Sequence, residues 1–450
     1  MVPLGVEGGT TPVGRLWQGW VAPWPQPLNR AFRWLWLGQL ISNLGTQCSL
    51  YGIGLWSFGR QGQLLDFAAV AFVVQLAKVL VVPVLGRRLC VWPRPQVMLV
   101  ANGVGALCTL AMATQLLHWQ QTQLLVVLPL LALAAMAEAA LVLSFASVIP
   151  QLVVDPARLA QANGMFVTAD GLVFSVAPYA GSWLVASAGL PGVLLLDGCT
   201  FVIAMLCVLL ARTPARLRQP MVYEPPPPGR LRFAALLAGP TTGPVLVLGT
   251  AMAFVYAATE VLFPAWLMAA ALADRTGLAF CLGVAGYLMG YVVWSRWAWR
   301  VAEQALMAGL LLQAIVLAGA SLQWFQGWLL GWSAGIVLFS AALPPVLAAL
   351  QGRWQRSIQP SLLPLLLAYR YRAEWIARLV AFAGVAALVD GLLKPMLAAS
   401  DGPHGLVVAA VFGQGPARSM PIGLGVVGVF LGCVVLSQWR AWFRPLPSVV

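Results

Sequence analysis

Charge is what this sequence holds least of. Asp, Glu, Lys and Arg make up 9% of its 450 residues, against about a quarter in a soluble domain. Hydrophobic residues make up 61%, and mean hydropathy is +0.86. So few polar groups cannot clothe a water-facing surface, which excludes soluble and secreted globular classes together. Histidine is scarcer still, with only His118 and His404. The seven cysteines form no CxxC, and Cys48, Cys108, Cys199, Cys207, Cys281 and Cys433 fall inside apolar runs. Neither a disulfide framework nor a zinc or haem site is expected, and no metal or other cofactor is called for. Two loop histidines cannot complete a Ser-His-Asp arrangement, so enzyme activity is not expected. A Gly-x-x-x-x-Gly-Lys phosphate loop is also missing, which excludes ATP as an energy source within this chain. The short alternating segments of a transmembrane β-barrel are absent as well. Residues 1–26 carry Arg15 but lack the apolar core and cleavage site of a signal peptide, so the first span is expected to direct insertion.

What is present is a series of apolar runs from Phe32 to Leu436. Each is about 20 residues long, enough to cross a hydrocarbon core about 30 Å thick at about 1.5 Å per residue. Spans are predicted at 32–58, 66–85, 96–117, 123–148, 160–187, 192–211, 244–271, 277–294, 303–322, 328–350, 374–393 and 422–439. Glycine and proline inside them are tolerated because neighbouring helices re-satisfy the backbone.

The cations divide between the loops unequally. One set holds Arg15, Arg30, Arg33, Arg87, Arg88, Arg94, Arg158, Arg212, Arg216, Arg218, Arg230, Arg232, Arg296, Arg300, Arg353, Arg356, Arg370, Arg372, Arg440 and Arg444. The other holds only Arg60, Arg275, Lys394 and Arg418. That split places the first set and both termini in the cytoplasm. The net charge of +13 therefore reads as membrane orientation, and no nucleic-acid partner is expected. Pro225, Pro226, Pro227 and Pro228, flanked by arginines, predict a stiff extended linker. The expected plan is a cytoplasmic segment 1–30, a six-helix bundle 31–211, the linker 212–240, a second six-helix bundle 241–442, and a cytoplasmic tail 443–450. The fold class is an all-α integral membrane protein of about twelve transmembrane helices in two bundles. A two-bundle secondary transporter has this plan, although channels and membrane enzymes can also have twelve spans.

Ionisable groups inside spans are costly and point to function. Lys78 lies about 18 Å down the second span at about 1.5 Å per residue, and Glu138 and Asp170 fall at comparable depths in the fourth and fifth. Lys78 is expected to pair with one of these carboxylates, burial raising and the ammonium lowering the carboxylate's proton affinity. A static pair or a lysine reaching for the surface are the alternatives. Glu260, beside Pro264 in the seventh span, is a candidate for a proton or a cationic substrate, or else a packing residue. Asp197 reads as a structural group near the outer end of the sixth span, within reach of water. Arg378 reads as reaching for phospholipid, and Glu303 and Glu374 as loop-edge charges. Of the twenty tryptophans, Trp17, Trp20, Trp24, Trp294, Trp297, Trp299, Trp439 and Trp442 read as an interfacial belt. Trp34, Trp36 and Trp56 read as lipid contacts, with a substrate cavity as the alternative.

Several segments resemble the major facilitator superfamily, in particular bacterial exporters of the macrolide-efflux and enterobactin-exporter type. They are the first span from Phe32 through Trp36, Gly38, Ser42, Asn43 and Gly45; the Asp66-Phe67-Ala68 start of the second; Ile149-Pro150-Gln151 and Asn163-Gly164; Pro191-Gly192-Val193 through Asp197-Gly198-Cys199-Thr200-Phe201; Trp354-Gln355-Arg356; and Phe412-Gly413-Gln414-Gly415-Pro416-Ala417-Arg418. The resemblance is tighter in the first half. It implies alternating access, proton antiport, export and a bacterial plasma-membrane location. The family's loop signature, Gly-x-x-x-Asp-Arg-x-x-Arg, matches at Gly86 and Arg94, but Cys90 stands where its Asp would be and Val91 where its Arg would be. A thiol is mostly uncharged at neutral pH, so the charged latch made there in the family is expected to be weak or rebuilt elsewhere. Pro364 and Leu365 similarly replace the family's Gly-Arg pair, while Arg356 and Arg370 persist as gating-loop candidates. Ala177-Pro178-Tyr179-Ala180-Gly181-Ser182 is a degenerate form of the antiporter run, with Pro178 and Gly181 retained as a helix-packing motif.

The sequence therefore leads to a proton-coupled exporter of a small amphipathic organic molecule, with the bilayer, the substrate and protons as partners. The alternative is a transporter-derived protein that no longer cycles and serves as a binding or assembly partner.

Overall fold

The computed structural model describes residues 29–61, 64–118, 124–153, 155–214, 233–269, 276–296, 301–322, 329–358, 362–398 and 419–443. These residues are helical almost throughout. In hydrocarbon, a helix satisfies every backbone group within its own segment, so long apolar runs have little other choice. The segments are α1 (Arg30–Gln61), α2 (Leu64–Val91), α3 (Arg94–His118) and α4 (Leu124–Leu152). Pro156–Leu210 then forms two helices, α5 and α6, that meet at Gly189. Gly189 has φ 68°, a left-handed conformation that a Cβ would oppose, and so the chain turns there. The second half holds α7 (Thr242–Ala269), α8 (Thr276–Arg296), α9 (Ala302–Ala320), α10 (Leu329–Arg356), α11 (Leu363–Ala386) and α12 (Ser419–Trp442). After Ala386, α11 widens into a π-helix (Ala387–Leu393) and ends as Lys394–Ala398.

Nine helices among the described residues are long and apolar enough to cross a membrane. The chain is a multi-pass membrane protein. α1 is more polar than these because Ser42, Asn43, Thr46, Gln47 and Ser49 occupy its middle. Large apolar side chains such as Leu80, Val100, Leu107, Ile315 and Leu436 are exposed along the helices. They need lipid rather than water around them.

Within the first half, α1 packs on the α5–α6 pair, α3 on α4 and α6, and α2 on α4. In the second, α8 and α9 pack on α10, α9 on α12, and α7 on α11 and α12. The halves meet where α2 and α4 touch α11, and where α5 touches α8 and α10. One hydrophobic cluster runs through both halves, from Phe32, Phe145 and Phe166 to Leu306, Trp354 and Leu431.

Most predicted boundaries fall within a few residues of the observed ones, and three differ by about six or more. α2 continues to Val91, α10 to Arg356, and α11 begins at Leu363 rather than 374. The stretches holding Arg353 and Arg370 read as loops, yet they continue the helices, and their charges find partners there. Arg353 meets Glu303 at 2.8 Å and Arg370 meets Glu374 at 2.7 Å. Pro364 sits in the first turn of α11, where its missing N–H costs nothing. Pro225–Pro228 of the expected linker, the segment 412–418 and the termini lie outside the described residues.

Candidate functional site: a cavity between the halves

A cavity of about 780 Å³ lies between the two halves, lined by α1, α2 and α5 on one side and α7 to α12 on the other. Its walls are mostly apolar and aromatic, including Tyr51, Phe263, Trp266, Tyr287, Trp332 and Phe339. A few polar groups converge on it, as in small-molecule sites generally.

The halves are joined at the arginine-rich end. Asn163 of α5 donates its amide to Gln355 of α10 at 2.8 Å, and Gln355 donates in turn to the Ala146 carbonyl of α4 at 3.1 Å. The Trp294 indole N–H of α8 reaches the Ala160 carbonyl at 3.0 Å, and the Tyr287 hydroxyl reaches the Val167 carbonyl at 3.0 Å. These two rings lie over glycines of α5. A Cβ at Gly164 would stand 2.6 Å from Trp294, and one at Gly171 would collide with Tyr287. Seven residues separate each pair, so glycines and aromatics align along facing helix stripes. That matched spacing was the legible signal for Tyr287 and Trp294, which sequence reading missed as residues that join the halves. Trp294 is buried, so it is not part of the interfacial belt. Nor is Trp442, which is buried beneath Arg353 with the guanidinium 4.3 Å from its ring centroid.

The predicted gating loop is not a loop. Gly86 and Cys90 lie in the last turns of α2, Arg94 in the first turn of α3, Arg356 ends α10, and Arg370 lies inside α11. At Gly86, α2 runs so close to Ala368 and Leu365 of α11 that a Cβ would strike the Ala368 methyl. The buried Cys90 thiol donates to the Gly86 carbonyl at 3.3 Å, one turn back in its own helix. Apolar contact thus occupies the place where the related signature has charge. Arg94 is buried at 1% exposure, whereas Arg356 is exposed. Gly181 lets α5 approach α1, where a Cβ would come 3.1 Å from the Cys48 carbonyl oxygen. Pro178 lies inside α5, and its side chain is outside the described set.

Among the described residues the intramembrane charges sort into pairs and two carboxylates outside them, Asp170 and Asp197. Lys78 bonds Glu138 at 2.8 Å, and its ammonium also lies 5.8 Å from the Trp375 ring centroid of α11. This cation–π contact links a first-half ion pair to the second half. Arg370 bonds both Glu374 and Gln351, each at 2.7 Å. Arg378 bonds Glu260 at 2.7 Å. Arg378, Glu260, Arg370 and Glu374 all line the cavity. Arg378 therefore does not reach for lipid, and Glu374 is no loop-edge charge. Each has its partner on a facing turn or helix that the sequence could not place. Glu303 stands at the start of α9, at the loop edge as expected, and pairs there with Arg353.

Asp170 remains. It lines the cavity and accepts a hydrogen bond from the Asn43 amide at 2.9 Å, with no cation at ion-pair distance among the described residues. Asp197 is 1% exposed, so water does not reach it as expected. The Thr200 and Thr46 hydroxyls lie 3.2 and 3.5 Å from its carboxylate. It ties α6 to α1. Trp36 donates its indole N–H to the Met165 carbonyl at 3.1 Å, a packing role within the first half.

No protein-family model and no curated protein matches the sequence. Solved structures do. A bacterial homologue of the iron transporter ferroportin, in an outward-facing state, matches with TM-score 0.70 and 18% identity over 91% of this chain and 99% of that one. A bacterial ferroportin homologue in an outward-facing state with soaked iron matches at TM-score 0.63, with 18% identity over 89% of this chain and 99% of that one. The human organic anion transporter MFSD10 (TETRAN) matches at TM-score 0.63, with 16% identity over 90% and 99%. The chain has the major facilitator fold. Identities this low show the fold, and the narrower likeness to macrolide-efflux or enterobactin exporters stays a matter of sequence resemblance.

Proposed function

We propose that this protein is a secondary active transporter that moves a small amphipathic organic compound by alternating access. The cavity between the halves is the observation that carries this reading. It is closed at one end by hydrogen bonds and ring–glycine contacts between separate helices, each weak enough to break and re-form. A cavity at the interface of two bundles is where such transporters bind cargo.

In this reading all twelve helices cross the bilayer as two bundles of six, joined by a cytoplasmic linker at 212–240, with both termini cytoplasmic. The arginine-rich end faces the cytoplasm of a bacterial cell. Closure at that end makes the conformation outward-facing, the state of the similar bacterial ferroportin homologue. The cargo named for the neighbours is not carried over. The cavity arginines, Arg370 and Arg378, are each bonded to a glutamate, which argues against an organic anion.

Proton antiport is the proposed coupling, and Asp170 its proton-bearing group. Glu138 and Glu260 are held by Lys78 and Arg378, whereas among the described residues Asp170 is bonded to the neutral Asn43 and to no cation. An unpaired acid changes charge at lower cost than a bridged one. Lys78 and Glu138 would relay that change to α11 through Trp375.

The test is uptake of a panel of dyes and drugs into inverted membrane vesicles, with and without an imposed proton gradient. Gradient-dependent accumulation is expected. Intact coupling in both Glu138→Gln and Asp170→Asn would sink the antiport assignment. The second reading, a protein that no longer cycles, is motivated by Cys90, Val91, Pro364 and Leu365. Transport of nothing, with stable co-purification of another protein, would favour it.

A further inference from the structure

We infer that the cavity selects organic cations, with the Asp170 carboxylate as counter-ion and the aromatic walls holding the apolar body. This rests on the transport reading for its biological meaning, but it is a claim about binding and can be tested without transport.

The inference follows from how the lining charges are distributed. On the second-half wall, Glu260 is bonded to Arg378, and Glu374 to Arg370, so both pairs are internally neutralised. On the first-half wall, Asp170 stands opposite them, with the Asn43 amide as its hydrogen-bond partner among the described residues. The described lining thus carries one acid more than it carries bases. A carboxylate in a mostly apolar cavity favours a cation that replaces its lost hydration. A permanent anion would meet an unpaired acid and find both guanidinium groups already engaged.

The rest of the wall suits a cation of a particular kind. Tyr51, Tyr256 and Tyr287 from both halves, with Trp266 and Trp332, contribute aromatic side chains to the same lining as Asp170. Aromatic faces attract diffuse, weakly hydrated cations and exclude small, strongly hydrated ones. About 780 Å³ accommodates a drug-sized molecule. The expected ligand is therefore a lipophilic ammonium or phosphonium compound rather than an inorganic ion.

Tetraphenylphosphonium, triphenylphosphine oxide and tetraphenylborate offer a positive, a neutral and a negative probe with similar aromatic bodies. Binding of each to the purified full-length protein in detergent would be read by quenching of tryptophan fluorescence. Tetraphenylphosphonium is expected to bind at least about tenfold tighter than triphenylphosphine oxide, with tetraphenylborate weakest. Asp170→Asn is expected to erase that preference, and Asp170→Glu to restore part of it. Size-exclusion profiles matching the parent protein establish that both variants are folded, and a misfolded Asp170→Asn leaves Asp170→Glu and the three-probe ranking to decide. Equal binding of all three probes, tighter binding of tetraphenylborate, no binding of any, or a preference that survives Asp170→Asn would each overturn the inference. Selective cation binding with no movement of any probe in liposomes would leave it standing while removing the transport reading. Transport of neutral or anionic probes without cation preference would do the reverse.

Discussion

Tyr287 of α8 donates its hydroxyl to the Val167 carbonyl of α5 at 3.0 Å, and its ring lies against Gly171 one turn further along. One side chain thus both bonds and fills the joint between the halves at the closed end. Its removal and its obstruction should have different effects.

Tyr287→Phe keeps the ring and loses the hydrogen bond, which is worth about 0.5–1.5 kcal/mol. Gly171→Val forces the ring out, at about 1–3 kcal/mol for overpacking. Both are expected to speed amide hydrogen exchange along the facing turns of α5 and α8, Gly171→Val more strongly. Unchanged exchange in both variants would mean that this contact does not hold the end closed.

The Lys78–Glu138 pair is largely buried, with side chains 11% and 19% exposed. Removing one partner leaves a charge without its counter-ion, so Lys78→Met should lower stability by about 3–5 kcal/mol. The double variant Lys78→Met with Glu138→Gln should recover much of that loss. Thermal unfolding in detergent would measure both, and additive losses would contradict the pairing.

Glu260→Gln leaves Arg378 facing the cavity without its carboxylate. Tetraphenylborate affinity should then rise by roughly tenfold, about 1.4 kcal/mol. Equilibrium binding before and after the substitution checks it. No gain for the anion would show that Arg378 turns away once released.

Gly86→Val places a branched side chain against Ala368 and Leu365, where α2 and α11 touch. The closed end should open, raising the labelling rate of the buried Cys90 by a membrane-permeant maleimide. A labelling rate equal to that of the parent chain would contradict close packing at this point.

Much of this was legible in the residues themselves. Apolar length alone marked the helices, because burying a backbone in hydrocarbon leaves the helix as its solution. The pairing of Lys78 with a carboxylate was expected from depth along adjacent spans, although which carboxylate was left open. The start of α11 and the ends of α2 and α10 were not legible. Arg353 and Arg370 look like loop residues until Glu303, Glu374 and Gln351 are brought beside them.

Composition by itself determined the solvent of this protein, since a chain with 9% charged residues must be surrounded by lipid. The spacing of its arginines supplied an expected orientation, because cations cross a membrane reluctantly. Only the tertiary structure decided which charges neutralise one another. Ion pairing depends on distances of about 3 Å between helices far apart in sequence, as Glu260 and Arg378 are. The isolation of Asp170 follows from that same packing, and no local pattern of residues records it.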